Sequence, residues 1–295
     1  LQSSDGKLIG NQGLWDQHLA IKWVHNNIAA FSGNPDEVTI FGQSAGGASV
    51  LYQAIYSGNQ GLFKRVIAES GSPLAFWAFQ EPNAEQYIDY TKCAMNVLSK
   101  VDCLLSLSPR ELQLERELIS NETLMFVPTL DGDFLKGTPH DIILGNNTFF
   151  ASERAFFASL DIVIGFNNYD GFGITLSNTD EAKKLYADPL RMTKDLFDNM
   201  VSYYMNYFEP TALVLEREMI SRLIDFTYTD WTKPDDMEGL RDSMINVASD
   251  AAMGAPSIAV ADTHVKLGGG RTYVYLFSAH PSTSPMELPK WFNGK

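Results

Sequence analysis

The sequence predicts an α/β fold: a mostly parallel β-sheet with helices on both faces and a helical insertion. Three observations predict it. Short apolar runs rich in β-branched and aromatic residues, at 38–41, 63–70, 161–165 and 271–277, alternate with longer stretches of helical spacing. Strands separated by helix-length segments pair in parallel, because the chain crosses back over the sheet between them. The first run passes through Gly42-Gln43-Ser44-Ala45-Gly46 into a small-residue helical stretch, a strand–turn–helix junction. The third observation is the stretch 180–253, mostly helical in pattern with many charged residues on one side, which reads as an insertion capping a site.

Each element has its own signal. A helix is expected over 16–31, with Leu19, Trp23 and Ile28 at helical spacing. Val38-Thr39-Ile40-Phe41 is the first strand, and Ala48, Val50, Leu51, Ala54 and Ile55 give the next helix its apolar residues. Small residues on either side of the junction let strand and helix approach closely. Phe63-Lys64-Arg65-Val66-Ile67-Ala68-Glu69-Ser70 is the next parallel strand, and 83–118 reads as helices. Asp161-Ile162-Val163-Ile164-Gly165 is a short buried strand. Gly268-Gly269-Gly270 turns the chain into the last strand, where Tyr273, Val274, Tyr275, Leu276 and Phe277 are all bulky.

The 295 residues, 45% hydrophobic, suit one large domain or two small ones. No repeat, low-complexity run or Pro/Gly/Ser-rich linker divides them, so 1–295 is read as one unit. A formal net charge of −14 repels phosphate backbones and argues against a nucleic-acid partner. No apolar stretch is long enough for a transmembrane segment. No metal or other cofactor is expected.

Ser44 is the candidate nucleophile. A serine on a sharp turn between strand and helix holds its hydroxyl clear of the backbone. It needs a base, usually a histidine held in the right tautomer by a carboxylate. In α/β-hydrolases the chain order is serine, acid, histidine. Asp170 is the candidate acid: it follows the strand 161–165 in a loop with Asn167, Asn168 and Gly171, and loops at the carboxyl ends of parallel strands collect function. From the residues alone it reads equally well as a turn aspartate bonded to its own backbone. Asp131 and Asp133 compete, but Asp131-Gly132-Asp133 reads better as a tight turn. Of five histidines, His18, His25 and His140 precede Asp170, and chain order excludes them. His264 ends a helix, where its charge favours the dipole. His280 directly follows the last strand and is a candidate base. The backbone N–H of Ala45, next after the nucleophile, is the expected oxyanion donor.

Longer motifs carry a resemblance. Asn11-Gln12-Gly13-Leu14-Trp15-Asp16-Gln17, Ala20-Ile21-Lys22-Trp23-Val24, Gly33-Asn34-Pro35 and the run from Phe41 through Gly42-Gln43-Ser44-Ala45-Gly46-Gly47-Ala48 follow one another. They resemble the nucleophile region of type-B carboxylesterases and cholinesterases, and within these the bile-salt-activated (carboxyl ester) lipases. Glu69-Ser70-Gly71, Asp131-Gly132-Asp133-Phe134, Asn167-Asn168-Tyr169-Asp170-Gly171, Thr272-Tyr273-Val274-Tyr275-Leu276-Phe277 and Pro289-Lys290-Trp291 recur in the family's order.

The resemblance implies an α/β-hydrolase fold and a serine esterase or lipase acting on small-molecule or lipid carboxylic esters, with Asp170 as triad acid. Trp77, which follows Gly71-Ser72-Pro73, matches an acyl-pocket tryptophan, and Ser70 a serine that steadies the triad. From the residues alone Trp77 reads as core packing and Ser70 as a strand-end hydroxyl. A disulfide between Cys93 and Cys103 is implied, against a reading as two buried thiols. With the sequons at Asn121 and Asn146 it points to a secreted glycoprotein. Family members are much longer, so the chain is expected to be the central part of a catalytic domain, without the upstream glycine-rich oxyanion loop. In the family the triad histidine comes a few residues beyond Pro289-Lys290-Trp291, and His280 matches a non-catalytic position. The base is therefore expected past Lys295, and residues 1–295 alone are expected not to turn over esters. Two departures stand out. Gln43 replaces the Glu of most relatives, which weakens a cholinesterase reading. The stretch 281–285 lacks the arginine of mammalian bile-salt-activated lipases, so bile-salt dependence is not carried over. The family's neuroligin-like adhesion members have lost activity and define the alternative, although they usually lack the serine that is present here.

Overall fold

The computed structural model describes residues 1–81, 84–89, 91–95, 99–118, 126–173, 192–208 and 214–279. Among the described residues four strands form one all-parallel sheet in sequence order: β1 Thr39–Gln43, β2 Arg65–Glu69, β3 Asp161–Asn167 and β4 Thr272–Phe277. Helix α1 (Gln12–Asn27) precedes the sheet and α2 (Ala45–Ile55) follows β1. Between β2 and β3 lie α3 (Ala84–Asp89), α4 (Lys100–Leu105), α5 (Pro109–Leu118), α6 (Pro139–Ile143) and α7 (Ala151–Ser159). Between β3 and β4 lie α8 (Lys194–Phe208), α9 (Val214–Tyr228), α10 (Met237–Ser249) and α11 (Ala255–Leu267). Most of the expected insertion is thus helical where described; 174–191 and 209–213 lie outside the described residues.

The register explains the core. Ile40, Val66 and Ile162 are level on one face, and Gly42, Ala68 and Ile164 are level one step further along that face. Ala48, Leu51 and Ile55 of α2, Phe156 and Phe157 of α7, and Val260 and Ala261 of α11 close over them in a single buried cluster. On the opposite face Phe41, Ile67, Val163 and Tyr273 line up. There Phe41 is 72% and Tyr273 53% exposed, so the described helices that build this core cover one side of the sheet.

Several boundaries differ from the periodicity. Helix α1 begins at Gln12, four residues early, because Asn11 stops the chain in a left-handed conformation (φ 54°) and its amide bonds both backbone groups of Thr129. The apolar side assigned to that helix does not face the core: Leu19 is 60% and Trp23 58% exposed, while Leu14 is buried. Residues Ile28–Phe31 tighten into a 3₁₀ turn. Strand β3 continues to Asn167, two residues past the expected end, since Phe166 and Asn167 still pair with Leu276 and Phe277. Cys93 and Cys103 are bonded to each other, joining the 3₁₀ turn Lys92–Met95 to α4, so they are not free thiols.

Candidate active site

Ser44 sits between β1 and α2 at φ 58°, ψ −122°, outside the regions a side-chain-bearing residue normally occupies. Such a backbone costs about 1–3 kcal/mol and persists only where its surroundings impose it. Here the surroundings are backbone. A Cβ on Gly42 would lie 2.4 Å from the Gly46 carbonyl oxygen, and one on Gly71 would lie 2.1 Å from the Ser44 carbonyl oxygen. Strand end and helix start approach so closely that only glycine fits at those two points. Gly46, the second glycine of the motif, faces open space. The Ser44 N–H donates to the Glu69 carbonyl at 2.9 Å, tying the bend to the end of β2. Ala45 opens α2, so its N–H has no carbonyl partner within the helix, and the residue is exposed.

Asp170 lies in the loop after β3. Its Oδ2 accepts from Ser70 Oγ at 2.6 Å and from Asn167 N at 2.8 Å; its Oδ1 accepts from Asn167 Nδ2 at 3.0 Å. Asp170 therefore caps its own loop, as the residue-only reading had it, and also reaches a neighbouring strand end. Ser70 is 4% exposed with φ 50°, and its N–H donates to the Gly165 carbonyl at 2.7 Å. The carboxyl ends of β1, β2 and β3 are thereby laced together, with Ser44 and Asp170 on the outer two. Two strand spacings separate those ends by about 10 Å.

Trp77 is half-buried, and its Nε1–H donates to the Ala252 carbonyl at 3.1 Å. It lines a cavity of about 290 Å³ together with Ala45, Ser49, Tyr52, Gln17 and Phe126. The cavity joins the start of α2 to the tryptophan, which also packs against the main core. The pair Asp131 and Asp133 is a turn: Asp131 Oδ1 accepts from Asp133 N and Leu135 N around Gly132 (φ 78°).

No described histidine hydrogen-bonds to Ser44 or Asp170. His18 Nδ1 pairs with Asn59 Oδ1 at 2.6 Å, near the far end of α2. His264 is fully buried, with Nδ1 on Thr272 Oγ1 at 2.7 Å and Nε2 on the Phe157 carbonyl at 3.1 Å. Burial holds its pKa below the usual histidine value, against the opposing bond to Phe157. Thr272 begins β4, so His264 lies at the amino ends of the strands, roughly 20 Å along the sheet from Ser44. His280 and Pro289-Lys290-Trp291 fall outside the described residues, as does the sequon asparagine Asn121. Asn146 is exposed. Among the described residues no cluster of three or more His, Cys, Asp or Glu could hold a metal ion, and no helix is long and apolar enough to cross a membrane.

Sequence reasoning missed Ser249 and Ala252. Ser249 Oγ accepts from Gly171 N at 2.8 Å, and Ala252 holds Trp77. No spacing marks either, because both contacts are long-range in sequence.

A family model described as Carboxylesterase family matches residues 1–295. The chain is 33% identical over 305 residues to the bile salt-activated lipase of Bos taurus, a match covering 99% of this chain and 47% of that protein. It is 31% identical to the cholinesterase of Mus musculus, over 96% of this chain and 45% of that protein. It is also 31% identical to neuroligin-3 of Mus musculus, over 99% of this chain and 33% of that protein. The chain spans about half the length of the first two relatives.

Proposed function

This chain belongs to the carboxylesterase family, and from that premise we propose that the whole protein hydrolyses carboxylic esters through an acyl-serine intermediate. Its parallel sheet and helices are part of the α/β-hydrolase fold of that family. The observation that carries the reading is Ser44: present, half-buried, and held at positive φ between strand and helix.

In this reading Ser44 Oγ attacks the ester carbonyl and gives its proton to a histidine. Asp170 orients that histidine and stabilises its charged form. The tetrahedral oxyanion takes the Ala45 N–H, a donor worth about 3–4 kcal/mol in the transition state. Collapse expels the alcohol with the proton from the histidine. Water, activated by the same base, then frees the acid from Ser44. Ser70 steadies Asp170, and Trp77 with the adjoining cavity receives the acyl group. We take the base from the family's position beyond Pro289-Lys290-Trp291, with His280 as the weaker candidate. The substrates are small-molecule or lipid esters, and the protein is a secreted glycoprotein carrying glycan at Asn146 and Asn121.

The test is fluorophosphonate labelling of the full-length protein followed by peptide mapping. Modification at Ser44 is expected. A folded protein left unmodified there would overturn the esterase reading and favour the non-catalytic adhesion or binding module.

A further inference from the structure

Helix α10 runs into α11 through a π-helical turn, Asp250–Gly254. Such turns shift the register of side chains along a helix and recur at functional sites. The end of α10 and this turn touch the candidate site from two directions. Ser249, the last residue of α10, accepts from Gly171 N at 2.8 Å and donates to the Ile245 carbonyl at 2.7 Å. Gly171 directly follows Asp170, and a Cβ on it would lie 2.2 Å from Ser249 N. Three residues beyond Ser249, the Ala252 carbonyl takes the Trp77 indole N–H. One short segment of the helical insertion thus holds both the loop of the acid and the ring beside the cavity.

We propose that Ser249 is a positioning residue that sets the place of the Asp170 carboxylate. The proposal rests on the reading of Asp170 as the triad acid. A helical serine commonly donates back to the carbonyl four residues before it. Ser249 does so, which uses its proton and leaves an oxygen lone pair for Gly171 N–H. Ser70 and Asn167 hold the carboxylate itself, from β2 and from its own loop. Ser249 holds the backbone one residue on, from a third element. At 5% exposure it has little water to substitute for its oxygen. Its deletion withdraws that acceptor and lets the loop move against β3, altering the distance from carboxylate to base.

The experiment uses the full-length protein and compares Ser249→Ala, Ser249→Cys and Ser249→Thr in hydrolysis of p-nitrophenyl butyrate across pH, with Tm measured in parallel. Ser249→Ala is expected to lower kcat about tenfold, well short of the roughly 10⁴-fold that accompanies loss of a triad carboxylate. KM is expected to hold, since Ser249 does not line the cavity. The acid limb of the kcat/KM profile is expected to move to lower pH, because a displaced carboxylate raises the pKa of its base less. Ser249→Cys, with a weaker acceptor in the same space, is expected to shift the limb in the same direction by less. Ser249→Thr restores the hydroxyl and is expected to stay within about twofold of the parent. An unshifted profile in the Ala and Cys variants, or equal losses in Ala and Thr, overturns the proposal. Labelling separates the two levels of inference: a parent protein that fails to label at Ser44 defeats the esterase reading, whereas a labelled parent with an unaffected Ser249→Ala defeats only this one.

Discussion

At Ser44 the backbone carries the geometry. Strand end, helix start and the end of β2 are pressed together at Gly42 and Gly71, and the serine side chain makes no capping hydrogen bond of its own. At Asp170 side chains carry more of it, beside one close backbone approach at Gly171. Ser70 and Asn167 reach the carboxylate, and Ser249 reaches the next peptide, from three separate parts of the fold. The difference predicts how each half fails. A backbone-built bend cannot change without disturbing the packing of β1 against α2, so fold and function fall together. A loop built by side-chain contacts can lose its chemistry while the sheet beneath it stays intact.

Asp170→Asn gives the largest effect that bears on this contrast. The amide nearly matches the carboxylate in shape, but its NH₂ meets at least one donor among Ser70 Oγ, Asn167 N and Asn167 Nδ2. It also favours the wrong tautomer of the base. In the full-length protein, on the proposed ester hydrolysis, kcat is expected to fall by roughly 10⁴, as when a triad aspartate becomes asparagine. Tm is expected to change little, because the residue is only half-buried at a strand end. A large drop in Tm together with kcat would show that the loop is as structural as the bend, and the contrast would be lost.

Gly42→Ala comes next. The added methyl meets the Gly46 carbonyl at 2.4 Å, and neither strand nor helix can retreat without opening the core beneath Ala48 and Leu51. Overpacking of this kind costs about 1–3 kcal/mol. Tm and fluorophosphonate labelling of Ser44 are expected to fall together. Normal labelling in a destabilised variant would mean that the bend survives rearrangement, and the serine would then owe its placement to something other than these contacts. Gly46→Ala is the internal control, since its Cβ meets nothing within 4 Å.

The same contrast accounts for what the sequence made legible. The bend is a local steric problem, written within five residues, and the strand-to-helix change of period frames it. Parallel pairing of the four strands was likewise readable, because helix-length segments separate them. Asp170 was half legible: its loop stands out, but Ser70 lies 100 residues away in sequence and only the family resemblance singled it out. Ser249 lies 78 residues from Gly171, inside a helix of ordinary composition, and no pattern distinguishes it. The exposed side of α1 failed for a related reason. Spacing locates an apolar stripe on Leu19 and Trp23, but what covers a stripe is decided by tertiary partners.

The amino ends of the strands offer the smallest effect and a control on the whole contrast. Asp161 Oδ2 accepts from Arg271 Nη2 at 2.7 Å, and Asp161 Oδ1 takes the Arg271 backbone N–H at 2.9 Å, pinning the start of β4 to β3. The Arg271 side chain and then its backbone N–H hold the Asp161 carboxyl below its usual range, at about 2. A carboxylate whose folded pKa lies below its unfolded value adds stability that is complete above the unfolded pKa. That stability is lost as pH falls through the folded pKa. The window therefore runs from about pH 4 down to about pH 2. With Arg271 68% exposed, solvent screening keeps the gain small. The stability difference between parent and Asp161→Asn is accordingly expected to be small at neutral pH and to vanish toward pH 2, measured by denaturant unfolding. Because this pair sits at the opposite end of the strands from Ser44 and Asp170, labelling at neutral pH is expected to be unchanged. A labelling defect would mean that strand pairing at the amino ends, and not the local bend and loop, decides where those two side chains stand.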